Sequence, residues 1–290
     1  MALRLNILLI NHYAGTHSLG MEYRPYYLAR EWVRAGHRVT VVAANFSHVR
    51  THQPQAGEEE VDGITYRWLP TPGYQGNGLG RVRNIWHFLR QVWQRAPALV
   101  TDCQPDMVIA SSTYPMDIWV ARRIARLAGA KLVYEVHDLW PLSPIELSGM
   151  SPNHPFIVLC QAAENYAYRH SDVVISMACK ADSYMAEHGL DLRKFHHIPN
   201  GISPEDWDDH PALTATPLSA HLQSIKTEGK TVVGYAGSHG LPNALDFFLD
   251  AAALLQDMPL AFVLVGDGHE KQRLEQRVKV EGLRNVAFFD

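Results

Sequence analysis

Short apolar, β-branched runs alternate with longer helix-patterned segments along almost the whole chain, and no other feature constrains the fold as strongly. A run of four to six such residues is too short for a helix and apolar on both faces. It reads as a strand buried on both sides, and the helical segments between runs are the crossovers that cover it. Strands are predicted at residues 5–10, 39–43, 64–69, 107–110, 132–136, 173–176 and 195–198, with a polar loop between the second and third. Helices are predicted over residues 21–35, stopped by Gly36, and over 117–127 and 156–168. Residues 200–229 contain prolines and little periodicity and read as a linker. Beyond them the alternation resumes, with strands at 231–236, 260–265 and 286–289 and helices at 243–255 and 270–280. The expected class is α/β, two doubly wound units with residues 1–205 in the first, 206–229 between them, and 230–290 in a shorter second unit.

Composition narrows the function classes. A chain of 290 residues fits two domains, at a prior of about 150 residues each. Apolar residues make up 47% and charged residues 19%, a globular rather than disordered balance. The net charge of −4 gives no global attraction to nucleic acid. Cys103, Cys160 and Cys179 are an odd set without a Cys-x-x-Cys pair, which argues against a disulfide framework or zinc ribbon and fits a reducing, cytoplasmic location. The start of the chain reads as a first strand rather than a signal peptide. No apolar run reaches the ~18 residues of a membrane span. The 16 histidines fall at no recognised ligand spacing, so no metal site is expected. A Gly-x-Ser-x-Gly elbow for a serine hydrolase is absent.

Ligands of open parallel sheets sit at the carboxyl ends of strands. The loop after the first strand, Asn11-His12-Tyr13-Ala14-Gly15-Thr16-His17-Ser18-Leu19-Gly20, has the glycine spacing of a phosphate loop, but Met21-Glu22 stand where the Lys and Ser/Thr belong. Gly229-Lys230-Thr231 has Ser224 in place of the first glycine and precedes a strand instead of following one. An NTPase is therefore not expected. Two later loops are better placed. Gly234-Tyr235-Ala236-Gly237-Ser238-His239-Gly240 and Val265-Gly266-Asp267-Gly268 each follow a strand and open a helix. Their glycines either bring backbone amides to a nucleotide diphosphate at helix N-termini or simply permit tight turns.

Taken in order, Gly15 to Gly20, Glu22 and Arg24, Gly36-His37-Arg38-Val39-Thr40-Val41, Val136-His137-Asp138-Leu139-Trp140-Pro141, Ile198-Pro199-Asn200-Gly201-Ile202, Gly234-Tyr235-Ala236-Gly237 and Val265-Gly266-Asp267-Gly268 resemble the family-4-type glycosyltransferases of the GT-B architecture. The likeness is greatest to the bacterial branch of O-antigen, capsule and colanic-acid assembly, which includes N-acetylfucosaminyl transferases. The resemblance implies two Rossmann-like domains facing a cleft. It also implies retaining, metal-independent transfer of a sugar from a nucleotide diphosphate donor, with no cofactor, to a polyprenyl-diphosphate-linked saccharide. His137 matches the family's active-site histidine. Gly15, Thr16, Gly20, Glu22, Arg24 and Asp138 would form the acceptor and reaction-centre side. Gly237, Ser238, His239, Gly240, Asn243, Gly266 and Gly268 would hold the donor. Many relatives carry an Arg and a Lys in that donor loop, where this chain has Ser238, His239 and Asn243. A Glu-x7-Glu element of the relatives would lie beyond residue 290, so the second domain is expected to be incomplete and the 290 residues alone to lack turnover. The alternative is that His137 and Asp138 cap the following turn and that Glu22 serves only the helix dipole.

Residues 81–95 carry four arginines and no acid, with Val82, Ile85, Trp86, Leu89, Val92 and Trp93 at helical spacing. Such a stripe packs on the N-terminal sheet or lies on an anionic bilayer at the inner face of the plasma membrane. Two further functions stay open. A nucleotide-sugar epimerase of the same fold would need paired carboxylates, for which Glu135, Asp138 and Glu146 are the local candidates. A carrier-binding fragment without turnover would need none.

Overall fold

The computed structural model describes residues 3–20, 22–76, 78–208 and 215–290. Met21 at the predicted helix start, Asn77 before the basic stretch and residues 209–214 of the predicted linker lie outside the described residues. The chain divides into two units, Met1–Ser203 and Pro204–Asp290.

The first unit runs β1 (Asn6–Ile10), α1 (Tyr23–Arg34), β2 (Arg38–Ala44), β3 (Gly57–Val61), β4 (Ile64–Leu69), α2 (Leu79–Cys103), β5 (Met107–Ala110), α3 (Asp117–Ala128), β6 (Lys131–Val136), α4 (Leu142–Ser148), α5 (Pro155–His170), β7 (Val173–Ser176), α6 (Asp182–Glu187) and β8 (Phe195–His197). Its sheet has the order β3-β4-β2-β1-β5-β6-β7-β8. Only the β3–β4 pair is antiparallel. β1 is central, with Ile7 opposite Val39 on one side and Met107 on the other.

Alternation along the strands fills a core on each face. Leu8, Ile10, Val108, Ala110, Tyr134 and Val136 meet α2, α3 and α5. Ile7, Leu9, Val41, Ile109 and Val133 meet Tyr26 and Ala29 of α1. Because side-chain direction repeats every two residues, Glu135 and the residue two beyond it share the α1 face with Val133.

The predicted strands are present, and β3 is an addition in the segment expected to be a polar loop. Glu58, Glu59 and Glu60 are exposed, which hides the strand from an apolar pattern. It exists because Asp62 and Gly63, at φ 52° and 76°, form a two-residue hairpin turn with positive φ at both positions. Cross-strand contacts hold it, with Trp68 donating to Glu59 at 2.8 Å and Arg67 to Glu58 at 3.0 Å.

The stripe on α2 does not stay together. Ile85, Leu89 and Val92 join the core, with Phe88 between them, whereas Val82, Trp86 and Trp93 are exposed. A helix 25 residues long has room for both, since only the face turned to the sheet can be covered.

The second unit runs α7 (Pro204–Asp208), α8 (Pro217–Thr227), β9 (Thr231–Ala236), α9 (Leu245–Leu254), β10 (Leu260–Val265), α10 (Lys271–Glu281) and β11 (Val286–Phe289). Its parallel sheet has the order β11-β10-β9. The predicted linker 206–229 is corrected at its C-terminal end, where α8 is a packed helix. Leu218, Leu222 and Ile225 cover Ala261 and Val263 of β10. Pro217 is no breaker there. It sits in the first turn, where a missing N–H costs nothing, behind a Thr216–Ser219 capping box. On the other face Leu245, Leu249, Leu264 and Leu274 pack together.

Two glycines of this unit are steric requirements. A Cβ on Gly266, whose φ is +134°, would lie 2.1 Å from the Gly237 carbonyl oxygen, and one on Gly268 would lie 2.4 Å from that of His239. Gly234 faces open space at ordinary φ. Gly266→Ala is therefore expected to cost about 2 kcal/mol or more in denaturant unfolding of the second unit. Gly234→Ala should stay within about 0.5 kcal/mol of wild type. Equal effects of the two substitutions would contradict the steric assignment.

Candidate active site

Parallel pairing of β1, β5 and β6 brings the residues that follow them to one edge of the first unit's sheet. Asn11 follows β1, Ser111 follows β5, Glu135 lies at the end of β6 and His137 follows it. Buried Asn11 donates from Nδ2 to the Ser111 carbonyl at 2.6 Å, fixing where the second loop starts. The Ser111 hydroxyl donates to Glu135 Oε2 at 2.6 Å and lies 3.0 Å from His137 Nε2. That nitrogen is also 3.5 Å from Glu135 Oε2. On the opposite side of the ring, Nδ1 is 3.8 Å from Glu22 Oε2, too far for a direct hydrogen bond.

Arg24, in the first turn of α1, ties this edge together. Its Nε donates to Glu135 Oε1 at 3.0 Å. One terminal nitrogen reaches the Pro199 carbonyl and Asn200 Oδ1, each at 3.0 Å, and the other the Ile198 carbonyl at 2.8 Å. One guanidinium fork thus joins α1, β6 and the segment after β8, a use of several donors at fixed angles that a lysine could not copy.

The charges are coupled. Burial opposes ionisation of Glu135, which is 2% exposed, but the hydrogen bond and charge of His137, the Ser111 hydroxyl and Arg24 outweigh it and hold the carboxyl down at about 2. Burial likewise opposes the imidazolium of His137, yet the Glu135 hydrogen bond and charge, with Glu22 behind them, raise its pKa above the ordinary value. Burial pushes Glu22 up, with Asp138 and Glu135 adding to it against His137. The edge therefore presents an imidazole whose Nε2 is engaged by Ser111 and Glu135 and whose hold on a second proton the two carboxylates strengthen.

The loop from Gly15 to Gly20 is anchored to this edge. The Gly15 amide donates to the Glu22 carbonyl at 3.1 Å, and the Tyr66 hydroxyl donates to the Gly15 carbonyl at 3.1 Å. Gly20, at φ +94°, bridges to Arg50. Thr16 is buried, its hydroxyl 3.1 Å from that of Ser18. Arg50 is a buried anchor the sequence did not reveal. It donates to the Ala14 and Ala44 carbonyls at 2.9 and 2.8 Å and lies 5.0 Å from the Trp68 ring centre. Asp138 is exposed. Glu146 is exposed as well, while Glu135 is buried in an ion pair with Arg24. His12 is a core residue, its pKa pushed down by burial to about 3, stacked on Tyr13 and Phe88.

In the second unit, Gly237, Ser238, His239, Gly240 and Asn243 lie against Gly266 and Gly268. Protein acceptors occupy several of the amides in these loops. Gly237 donates to Val265, His239 to Asp267 and Gly266 to Phe289 at 2.9, 2.9 and 3.0 Å, and Gly268 to the Asp267 carboxylate at 2.7 Å. The physical reason is the close approach of the two loops, which the glycines permit. Asn243 Nδ2 and the Tyr235 hydroxyl both donate to the Ser238 carbonyl, at 2.7 and 2.8 Å. The His239 ring is fully buried, its pKa lowered by that burial, and neither ring nitrogen has a hydrogen-bond partner among the described residues. No cluster of His, Cys, Asp or Glu among the described residues could hold a metal ion.

The signs of the titrations give a test. Glu135 is depressed below the ordinary carboxyl value of about 4.3, so its stabilisation is complete above that value and is lost as pH falls toward about 2. His137 is raised, so its contribution is complete below about 6.5 and is lost as pH rises through its folded-state value. Glu135→Gln is expected to lower the His137 pKa, followed by NMR titration of its imidazole protons, and to flatten the acid loss of stability. An unchanged His137 midpoint would contradict the coupling.

Comparison with known proteins places these features. Residues 20–201 match the model of the glycosyl transferase 4-like domain. A protein of Escherichia coli K12 named as a colanic acid biosynthesis glycosyl transferase, WcaI, is 26% identical over 175 residues. That match covers 58% of this chain and 41% of WcaI, so the chain spans less than half the length of that relative. Sucrose-phosphate synthase from Thermosynechococcus elongatus superposes with a TM-score of 0.72 at 15% identity, covering 98% of this chain and 70% of that one. HepE of Anabaena, solved in complex with UDP and glucose, gives 0.63 at 19% identity, covering 99% and 70%. At such identities the structural likeness shows the shared GT-B fold of Rossmann-like units. The family model spans well over half of the residues, and the chain belongs to the glycosyl transferase 4-like family.

Proposed function

We propose that this chain forms part of a retaining, metal-independent glycosyltransferase that moves a sugar from a nucleotide diphosphate donor to a lipid-linked saccharide in surface polysaccharide synthesis. One observation carries the reading. The buried His137 ring is held through Nε2 by Ser111 and Glu135 at the carboxyl edge of a family-matched sheet, with Nδ1 3.8 Å from Glu22 and making no direct hydrogen bond to it. Cleavage of the anomeric C–O bond leaves an oxocarbenium-like sugar and builds negative charge on the departing diphosphate. A fixed cationic donor beside that centre lowers the barrier without reorganising, which is the largest class of catalytic term. The Gly15–Gly20 loop, Glu22 and Arg24 shape the acceptor side of this edge.

The donor residues Gly237, Ser238, His239, Gly240, Asn243, Gly266 and Gly268 belong to the second unit. With the amides of Gly237, Gly266 and Gly268 occupied, the groups that remain for a ligand are the amides of Ser238 and Gly240, which have no partner among the described residues, and the His239 ring. That HepE was solved with UDP and with UDP-glucose supports a uridine nucleotide as the first donor to try. No resident cofactor or metal enters the scheme, and the enzyme would work at the cytoplasmic face, where sugar nucleotides are made.

The test is transfer from a panel of UDP- and GDP-sugars to a polyprenyl-diphosphate-linked saccharide. It is run in EDTA with the protein that contains this chain. The reading predicts turnover with retained anomeric configuration by NMR. It also predicts a loss of about a hundredfold or more on His137→Ala, measured on protein verified as folded at the assay temperature because the variant gives up the His137 contact to Glu135. Inverted product, dependence on added metal or full activity of His137→Ala would each contradict it.

A further inference from the structure

Five side chains from separate segments of the first unit meet at the sheet edge that carries His137. Tyr13 follows β1, His48 follows β2, Tyr74 follows β4, Arg81 lies in the first turn of α2, and Trp140 comes three residues after His137. Arg81 is the centre of the group. Its Nε donates to the Tyr13 hydroxyl at 3.1 Å, and its guanidinium carbon lies 5.5 Å from the Tyr13 ring centre and 5.9 Å from that of Trp140. Tyr13 is itself fixed, buried with its ring stacked on His12 and edge-on to Tyr114. It also meets His48 edge-on at 5.7 Å, and His48 Nδ1 lies 2.6 Å from the Tyr74 hydroxyl. The guanidinium therefore rests on a rigid aromatic wall.

Charge and access suit this wall to an anion. Burial is the main reason that His12 titrates low, and the charges of Arg50 and Arg81 add to it. Burial and then the charge of Arg81 lower His48 in the same direction. Both imidazoles are therefore neutral at neutral pH, and the field around them is positive. Arg81 and Trp140 are half-buried, so a solute reaches both. A guanidinium held between rings keeps its fork in one plane, the geometry that matches two oxygens of a carboxylate or phosphate. Beside it the Trp140 indole offers a broad apolar surface, which suits the C–H face of a sugar ring. Arg24, at the same edge, binds Glu135 and the segment after β8 instead.

We propose that Arg81, held between Tyr13 and Trp140, recognises an oxyanion joined directly to the acceptor sugar and so makes the site prefer charged acceptors over neutral ones. The sugar ring lies on Trp140 while the oxyanion meets the guanidinium. A phosphate that links a saccharide to its carrier and the carboxylate of an acidic sugar share this chemistry, and separate probes distinguish them. The inference rests on the transferase reading of this edge and adds the residue that selects the acceptor. Binding is read without donor and without turnover, so its failure and that of the transfer reading are told apart.

The experiment is an NMR titration of the chain, isotope-labelled at arginine, with glucose 1-phosphate, methyl glucuronide, methyl glucoside and inorganic phosphate. The Arg81 Nε–H signal, assigned by its absence from Arg81→Gln, reports on the site. Wild type should bind glucose 1-phosphate or methyl glucuronide about tenfold more tightly than methyl glucoside, with movement of that signal. The tighter of the two names the charged group. Arg81→Gln should lose the preference, and Arg81→Lys should recover only part of it, because an ammonium lacks the fork. Arg83→Gln, at an exposed position on the same helix, should keep it. Circular dichroism verifies the folding of each variant. Equal affinity for charged and neutral probes, an unchanged preference in Arg81→Gln, or an equal loss in Arg83→Gln would overturn the proposal. So would inorganic phosphate binding as tightly as glucose 1-phosphate, because that would mark a site for a free anion rather than for a sugar.

Discussion

A carboxylate as deeply buried as that of Glu135 persists only where several donors replace its water, and that requirement shapes the edge of the first unit. Arg24, Ser111 and His137 supply those donors. Each comes from a different element, so satisfying one charge fixes the start of α1, the loop after β5 and the end of β6 relative to one another. Removing the charge would take away the carboxylate that Arg24 Nε donates to and leave Glu22, 3.8 Å from His137, as the remaining carboxylate beside that ring, and losing the partner of a buried charge costs several kcal/mol. The same arrangement favours protonation of His137 and fixes its ring through Nε2. Structural and chemical demands on Glu135 therefore coincide.

Sheet topology makes that convergence possible. β1 lies between β2 and β5, so the loops after β1 and β5 and the end of β6 open on one edge without a long excursion. Two-residue alternation sends Glu135 to the α1 face, where Arg24 waits, and leaves the opposite face to α2, α3 and α5. The two faces consequently do different things. One carries the charged cluster, and the other carries a core whose outer surface is arginine and tryptophan. In the second unit the glycines after β9 and β10 work by the same economy of space, letting two loops touch where any side chain would clash.

Much of this is legible in the sequence because parallel strands buried on both faces must be short and apolar. The runs at β1, β5, β6 and β10 announce themselves in that way. β3 does not, since its three glutamates face solvent, although the Asp62-Gly63 turn beside it is a visible hairpin signal. α8 is hidden by Pro217, which looks like linker until the Thr216 cap shows it opening a helix. At the site, His137, Glu22 and Arg24 can be picked out from their motif context, but the pairing of Arg24 with Glu135 cannot, because 111 residues separate them. Ser111 and Arg50 carry no local pattern and emerge only when the strands are in place. The stripe on α2 was ambiguous for a physical reason, since a long helix uses one arc for the core and an adjacent arc for whatever lies outside.

Arg24 and Glu135 hold one another in place and through that contact organise the site. A double-mutant cycle measures this most directly. Arg24→Leu and Glu135→Leu are made singly and together, and unfolding free energies are compared at neutral pH. Each single change strands the partner's charge in the interior and the double change relieves it, so a coupling energy of about 2 kcal/mol is predicted. Single effects that add to within about 0.5 kcal/mol would contradict the account.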